Sequence, residues 1–324
     1  MKIYVTRQIP QAGIEPLGEH EVEIYEGDTP IGHQELIEKV RGADAVIPLL
    51  TDELDADVLG YAKKLKVVAN YAVGYDNIDI EEATERGIVV TNTPDVLTQA
   101  TAELAWALLF ASARRIGEGE RLVRQGKFKG WSPTLLLGQG IRGKTLGVVG
   151  AGRIGTRFAL ISRGFEMKVF YYDEERNEEL ERELGAKKVD ISYLLHACDY
   201  VSIHLPLTRF TRHLIDAHQI FRMKPTAVLV NTSRGAIIDE KALAAALRGG
   251  KLAAAGLDVY ENEPEVAPEL LKCDNAVLAP HIGSATHEAR SRMAELCANA
   301  VLDVFAGRMP SNIVNAQVWA DRRQ

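Results

Sequence analysis

Cysteine is scarce in this chain. Cys198, Cys273 and Cys297 are the only three among 324 residues, scattered and odd in number. That pattern excludes a disulfide framework and a cysteine metal site. It suits small buried side chains in a reducing compartment. Long apolar runs are also missing. No stretch approaches the roughly 20 residues of a membrane span, and "MKIYVTRQIP" has no apolar signal region before a cleavage site. A cytoplasmic location is expected. Positive charge is not in excess: 38 Lys+Arg stand against 45 Asp+Glu, a net charge of −7, with no basic stripe. This argues against broad affinity for nucleic acid or an anionic membrane. No His/Asp/Cys spacing suggests a metal ligand set, so none is expected.

What is present is an ordinary globular balance, 46% hydrophobic and 26% charged, in a chain long enough for two domains. The first ninety residues alternate strand-like runs, "KIYVT", "EVEIY", "AVIPLL", "KVVANYA" and "IVVTN", with amphipathic stretches such as "IGHQELIEKVRG". Short β-branched runs separated by helices predict a parallel sheet covered on both faces. One long alanine-rich helix is expected next, with Ala102, Ala105, Trp106, Leu109, Ala113 and Ile116 on a single face. From Lys144 a second series begins: "KTLGVVG", "KVFYYD", "YVSIHL", "AVLVNT", "AAAGLDV" and "AVLAP". Six strands match a doubly wound nucleotide-binding sheet. The final helix ends at Gly307, with Pro310 beyond.

The predicted fold class is therefore α/β, with two doubly wound parallel-sheet domains. A Rossmann-type domain over 99–287 is inserted into a flavodoxin-like domain made of 1–98 plus 288–324. A cleft between two such domains would suit a substrate.

"GAGRIG" follows an apolar strand and opens a helix, the context in which the pattern means a dinucleotide. Gly150 permits the tight turn, Gly152 lets the backbone approach a pyrophosphate, and Gly155 lets helix and strand pack closely. Helix N–H groups then face the phosphates. Asp173 ends the next strand, 23 residues after Gly150, where a carboxylate accepts from ribose hydroxyls. Glu174 and Glu175 follow instead of an arginine, so NADH is favoured over NADPH.

Three strand ends carry unusual residues: Arg234 after "VLVNTS", Glu263 beyond "GLDVYEN" with Asp258 at its strand end, and His281 in "APHIGS". In an open α/β sheet the ligand lies beyond the carboxyl ends of the strands. Each residue has a plainer alternative: a solvated arginine, an exposed acid in a proline-bounded loop, a satisfied core histidine. Together they make an acid–base pair and an anion receptor.

With these motifs in hand, the sequence resembles the D-isomer-specific 2-hydroxyacid dehydrogenases over nearly its whole length. The carrying motifs are "GAGRIG" with Asp173, "NTSRGAIIDE", "AAGLDVYENEP", "PHIGSAT" and "VVANYAVGYDNIDIEEATERGIVVTNTPDV". "GWSPTLLLG" before "GKTLGVVGAGRIG" is most similar to the glyoxylate/hydroxypyruvate reductase branch. The resemblance implies that Arg234 binds the substrate carboxylate and polarises the keto group. It makes His281 the general acid in reduction and Glu263 its hydrogen-bond partner. It places the Val73 and Gly74 N–H groups on the substrate carboxylate and Leu50 in the pocket wall. Thr101, Arg153, Ile154, His204, Pro206, Thr232, Ser233, Asp258 and Gly283, together with Arg234 and His281, join the cofactor contacts. It also implies a homodimer through the arm bearing Trp131, and the alanine-rich helix is expected to share that interface.

Other family members are alternatives. A phosphoglycerate dehydrogenase would be expected to add a C-terminal regulatory domain after Gln324. A formate dehydrogenase would carry Gln at Glu263, and a phosphite dehydrogenase Lys at Val73. A non-enzymatic NADH-sensing corepressor could keep the same residues.

Overall fold

The fold was read from a computed structural model, which describes residues 1–323. The chain divides into two compact units, Met1–Leu97 with Ser284–Gln324, and Thr98–Gly283.

In the first unit, β1 (Lys2–Val5), α1 (Gln11–Ile14), β2 (Glu21–Ile24), α2 (His33–Val40), β3 (Ala45–Ile47), α3 (Ala56–Tyr61), β4 (Val67–Ala69), α4 (Ile80–Glu85) and β5 (Val89–Thr91) alternate along the chain. The sheet order is β2-β1-β3-β4-β5, all parallel, which is the flavodoxin-like order. Strands β3, β4 and β5 are short and buried, as β-branched runs covered by helices on both faces should be. Asp55 and Asp79 start α3 and α4 by accepting from the N–H groups of Val58 and Glu82, each at 2.9 Å. Leu36, Val40, Leu59 and Leu65 close one face over Val46, Val68 and Val90.

The second unit holds α5 (Thr98–Ala113), α6 (Ile116–Arg124), β6 (Thr145–Val149), α7 (Arg153–Ile161), β7 (Lys168–Tyr172), α8 (Glu178–Leu184), β8 (Lys187–Lys188), α9 (Ile191–Ala197), β9 (Tyr200–Ile203), α10 (Ala217–Arg222), β10 (Val228–Asn231), α11 (Glu240–Arg248), β11 (Ala254–Leu257) and β12 (Ala276–Leu278). Its parallel sheet runs β8-β7-β6-β9-β10-β11-β12. The order reverses between β6 and β9, the switch point where such sheets bind ligands. Six strands were expected and seven are found. The additional β8 is two exposed lysines on the sheet edge, too short and too polar to read as a strand.

The expected single alanine-rich helix is two helices. Arg115 stands between them with φ 55°, in the left-handed region. A continuing helix would offer the Ala113 carbonyl to residue 117, but the N–H of Gln139 takes it at 2.8 Å. Ile116 consequently leaves the buried face and is 55% exposed. The rest of that face is buried: Trp106 donates to the Phe158 carbonyl at 2.9 Å and stacks on its ring.

The chain ends on the first unit with α12 (His287–Phe305), capped by Thr286, whose hydroxyl accepts from Ala289. No helix among the described residues is long and apolar enough to cross a membrane. All three cysteines are buried.

Candidate active site

The glycine turn sits at the switch point. Gly150 has φ +96°, and a Cβ there would lie 2.7 Å from the backbone carbon of His204. Nothing fills the space a Cβ would take at Gly152, whereas at Gly155 it would meet the Gly150 carbonyl oxygen at 1.9 Å. Gly152 stands at the N-cap of α7 with no side-chain cap, so the positive end of the helix dipole faces the glycine turn, where it favours an anion. This cradle fits a dinucleotide pyrophosphate.

Asp173 closes the adjoining edge. One of its oxygens accepts from the N–H of Ala151 at 2.6 Å and the other from that of Glu174 at 2.7 Å. Lone pairs remain for hydroxyl donors. Asn177 donates to the Ala151 carbonyl at 2.8 Å and to the Thr156 hydroxyl at 2.7 Å, tying the same turn to α8.

His204 follows β9. Its Nε2 pairs with the Ser202 hydroxyl at 2.9 Å, and burial pushes the imidazole down to about 3. A neutral ring is suited to packing beside a cofactor, not to delivering protons. Pro206 sits in the next turn, where its carbonyl accepts from Thr211 Oγ1 at 2.7 Å. Beyond β10, Thr232 is buried and its hydroxyl has no partner among the described residues. Ser233 donates to Asn231 Oδ1 through both N–H and hydroxyl, and Asn231 Nδ2 donates to the Arg234 carbonyl at 2.8 Å.

Glu263 and His281 come together although 18 residues apart: His281 Nδ1 lies 2.7 Å from Glu263 Oε2. The other oxygen of Glu263 accepts from the N–H of Tyr260 at 2.9 Å. Burial pushes the Glu263 carboxyl up. The His281 hydrogen bond and charge, the Tyr260 N–H and the Arg234 charge outweigh it and hold the group below its ordinary range. Arg234 stands at the start of the short turn Gly235–Ile237. Its loop packs backbone against backbone on the Glu263 loop, since a Cβ on Gly235 would lie 1.9 Å from the Tyr260 carbonyl carbon.

His281 itself has φ +54°, an unusual conformation for a non-glycine residue. Asp258 holds it there. The Asp258 carbonyl accepts from the N–H of His281 at 2.9 Å, and its two carboxylate oxygens accept from Ile282 and Gly283 at 2.7 Å each. Thr101 of α5 packs beside Gly283. Leu50, Val73 and Gly74 belong to the other unit, where they follow β3 and β4.

The sequence profile of the D-isomer specific 2-hydroxyacid dehydrogenase NAD binding domain matches residues 106–283. The chain belongs to this family. It is 52% identical to the glyoxylate reductase of Thermococcus litoralis over 98% of this chain and 97% of that one. It is 51% identical to that of Korarchaeum cryptofilum over 98% and 96%. A crystal structure from Thermus thermophilus matches with a TM-score of 0.91 at 45% identity, covering 97% of this chain and 100% of that one.

In this family member, sequence reasoning missed two supports of the Glu263 loop and the glycine turn. Glu240, buried at the start of α11, accepts from the N–H groups of Glu261 and Ala267, which flank Glu263. Its only sequence signal is a position beside the α11 cap, Asp239. Asn177 reads from sequence merely as the cap of α8. Asp258 was expected against the cofactor; the structure shows its side chain accepting from the loop that carries His281.

Proposed function

We propose that the protein reduces a small 2-keto acid, glyoxylate or hydroxypyruvate, to the 2-hydroxy acid with NADH. The observation that carries this reading is the 2.7 Å pair of His281 and Glu263, with the Arg234 loop packed on that of Glu263, at the ligand edge of a Rossmann sheet. The names of the relatives fit it: glyoxylate reductases match along nearly the full chain.

Gly150, Gly152, Arg153, Ile154 and Gly155 hold the pyrophosphate, and Asp173 holds the adenosine ribose. Asp173 and the acids after it disfavour a 2′-phosphate. Thr101, His204, Pro206, Thr232, Ser233, Asp258 and Gly283 border the rest of the cofactor. When bound, NADH supplies the hydride for the carbonyl carbon.

The chain's own residues do the remaining work. Arg234 grips the substrate carboxylate with its planar fork and polarises the keto oxygen. In the other unit, the Val73 and Gly74 N–H groups are fit to receive a carboxylate, and Leu50 lies in the turn after β3. With Nδ1 engaged by Glu263, His281 has Nε2 to give its proton to the oxygen that becomes the alcohol. Glu263 fixes the ring and balances the imidazolium charge. The arm around Trp131, which is 85% exposed, and Leu137, 66% exposed, is apolar surface that a homodimer would cover.

A panel of 2-keto acids assayed with NADH and NADPH in parallel tests the reading. Turnover of glyoxylate or hydroxypyruvate with NADH is expected. Absence of turnover with every keto acid would refute it and favour a binding protein.

A further inference from the structure

Three consecutive carbonyls of the loop after β4 are held, the first two from the segment 92–93. The Ala72 carbonyl accepts from the N–H of Thr93 at 2.9 Å, and the Val73 carbonyl accepts from Asn92 Nδ2 at 2.8 Å. The Gly74 carbonyl accepts from Asn70 Nδ2 at 2.8 Å. In a trans peptide the N–H points opposite to the carbonyl. The Ala72–Val73 and Val73–Gly74 peptides both turn their oxygens to the segment 92–93. They therefore turn successive N–H groups the other way, as in an anion-binding nest.

The donor Asn92 is itself braced from the far end of the chain. Asn312 Nδ2 donates to the Asn92 carbonyl at 2.5 Å, and the N–H of Asn92 donates to the Asn312 carbonyl at 3.3 Å. The segment carrying Asn312 lies along the edge of β5. Val314 donates to the Val90 carbonyl at 2.8 Å. Asn315, fully buried, accepts from the N–H of Val90 at 2.8 Å and donates to the Ile88 carbonyl at 2.9 Å. On the other flank, Asn77 Nδ2 donates to the Leu49 and Asp52 carbonyls at 3.1 and 3.0 Å, and Asn70 Nδ2 reaches Asn77 Oδ1 at 3.3 Å. The Leu50 turn and the Gly74 loop thus share one asparagine network.

We infer that Asn92, braced by Asn312 of the C-terminal segment, and Asn70 are positioning residues. Asn92 aims the Gly74 amide beside the Val73 amide, which the Thr93 N–H sets, as a preformed carboxylate receptor; Asn70 pins the peptide that follows, and Asn77 sets the Leu50 turn against it. This rests on the keto-acid reading above. Asparagine suits the task because its amide donates to a carbonyl without bringing a charge near a carboxylate. The C-terminal segment thereby contributes to substrate affinity without touching substrate.

The test compares the unmodified chain with Asn92→Asp, which keeps the size but replaces the donor, and with Asn312→Ala, which leaves Asn92 in place. Glyoxylate is the charged substrate, and its methyl ester is the analogue without a carboxylate charge. Asn92→Asp should raise KM for glyoxylate roughly tenfold and leave kcat within about threefold. Its KM for the ester should stay nearly constant, as should NADH affinity measured by fluorescence. Stabilisation of the protein by oxalate in a thermal melt should weaken in parallel. Asn312→Ala should show the same pattern, smaller. Merely structural damage would raise both KM values or lower kcat, and either result overturns the inference, as does an unchanged glyoxylate KM in Asn92→Asp. If Asn92→Asp does not fold, the glyoxylate-to-ester KM ratio of Asn312→Ala decides alone. An unmodified chain that turns over no keto acid overturns the keto-acid reading and this inference with it.

Discussion

Removing His281 and the charge of Glu263 separately and together tests whether the two act as one unit. The pair is joined by a 2.7 Å contact between side chains only 25% and 24% exposed, so solvent screens it weakly. His281→Ala removes the proton donor and should lower kcat by about two to four orders of magnitude, about 2.7–5.5 kcal/mol of transition-state stabilisation. Glu263→Gln is milder. Its amide oxygen can still accept from Nδ1, so the loss is the charge assistance within a bond worth about 1.5–3 kcal/mol. A cost of about 1–2 kcal/mol, roughly 5- to 30-fold in rate, follows. Once His281 is gone, the carboxylate has no imidazolium to support. The double variant should fall within about threefold of His281→Ala. Independent action would instead multiply the losses by the full 5- to 30-fold. That gap exceeds the roughly 0.3–0.5 kcal/mol within which unrelated sites add. The assay is steady-state oxidation of NADH with glyoxylate, alongside NADH affinity by fluorescence, which should stay constant because phosphates and ribose are held elsewhere. Multiplying losses would show that Glu263 does not work through His281.

Asp173→Ala should narrow the gap between NADH and NADPH by relieving repulsion of a 2′-phosphate. Equal kcat/KM for both cofactors in the unmodified protein would contradict the assignment. Gly155→Ala forces a Cβ to within 1.9 Å of the Gly150 carbonyl oxygen. It should cost about 3 kcal/mol or more, and an unchanged Tm would count against the close helix–strand packing. The Glu263 carboxyl is held below its ordinary 4.5 in the folded state. It therefore stabilises the fold above that pH and loses the contribution as pH falls through the folded-state value. Glu263→Gln should accordingly shrink the stability difference between neutral and acidic urea melts, and an equal difference in both proteins would refute the linkage. Trp131→Glu should convert a homodimer into monomer by light scattering, and a monomeric unmodified chain at micromolar concentration would dispose of the arm as an interface.

Much of this protein was determined locally and is legible in the sequence. β-branched runs alternating with amphipathic stretches specify two parallel sheets, because burial on both faces and helical periodicity are written within a few neighbours. "GAGRIG" is readable for the same reason: turn, close approach and helix start all fall within six residues. Tertiary structure decided what depends on distant partners. The alanine-rich helix stops at Ala113 because Gln139 takes its carbonyl, which no propensity near residue 113 announces. Strand β8 exists only because β7 offers an edge to two lysines. Asp258 could be nominated as a polar strand end, yet its partners lie 24 and 25 residues on, and only the fold turns both its oxygens to the loop of His281. Asn92 and Asn312 are 220 residues apart and carry no local signal at all. Hydrogen bonds between such distant segments leave no periodic trace along the chain, so their existence is settled only when packing brings the two backbones side by side.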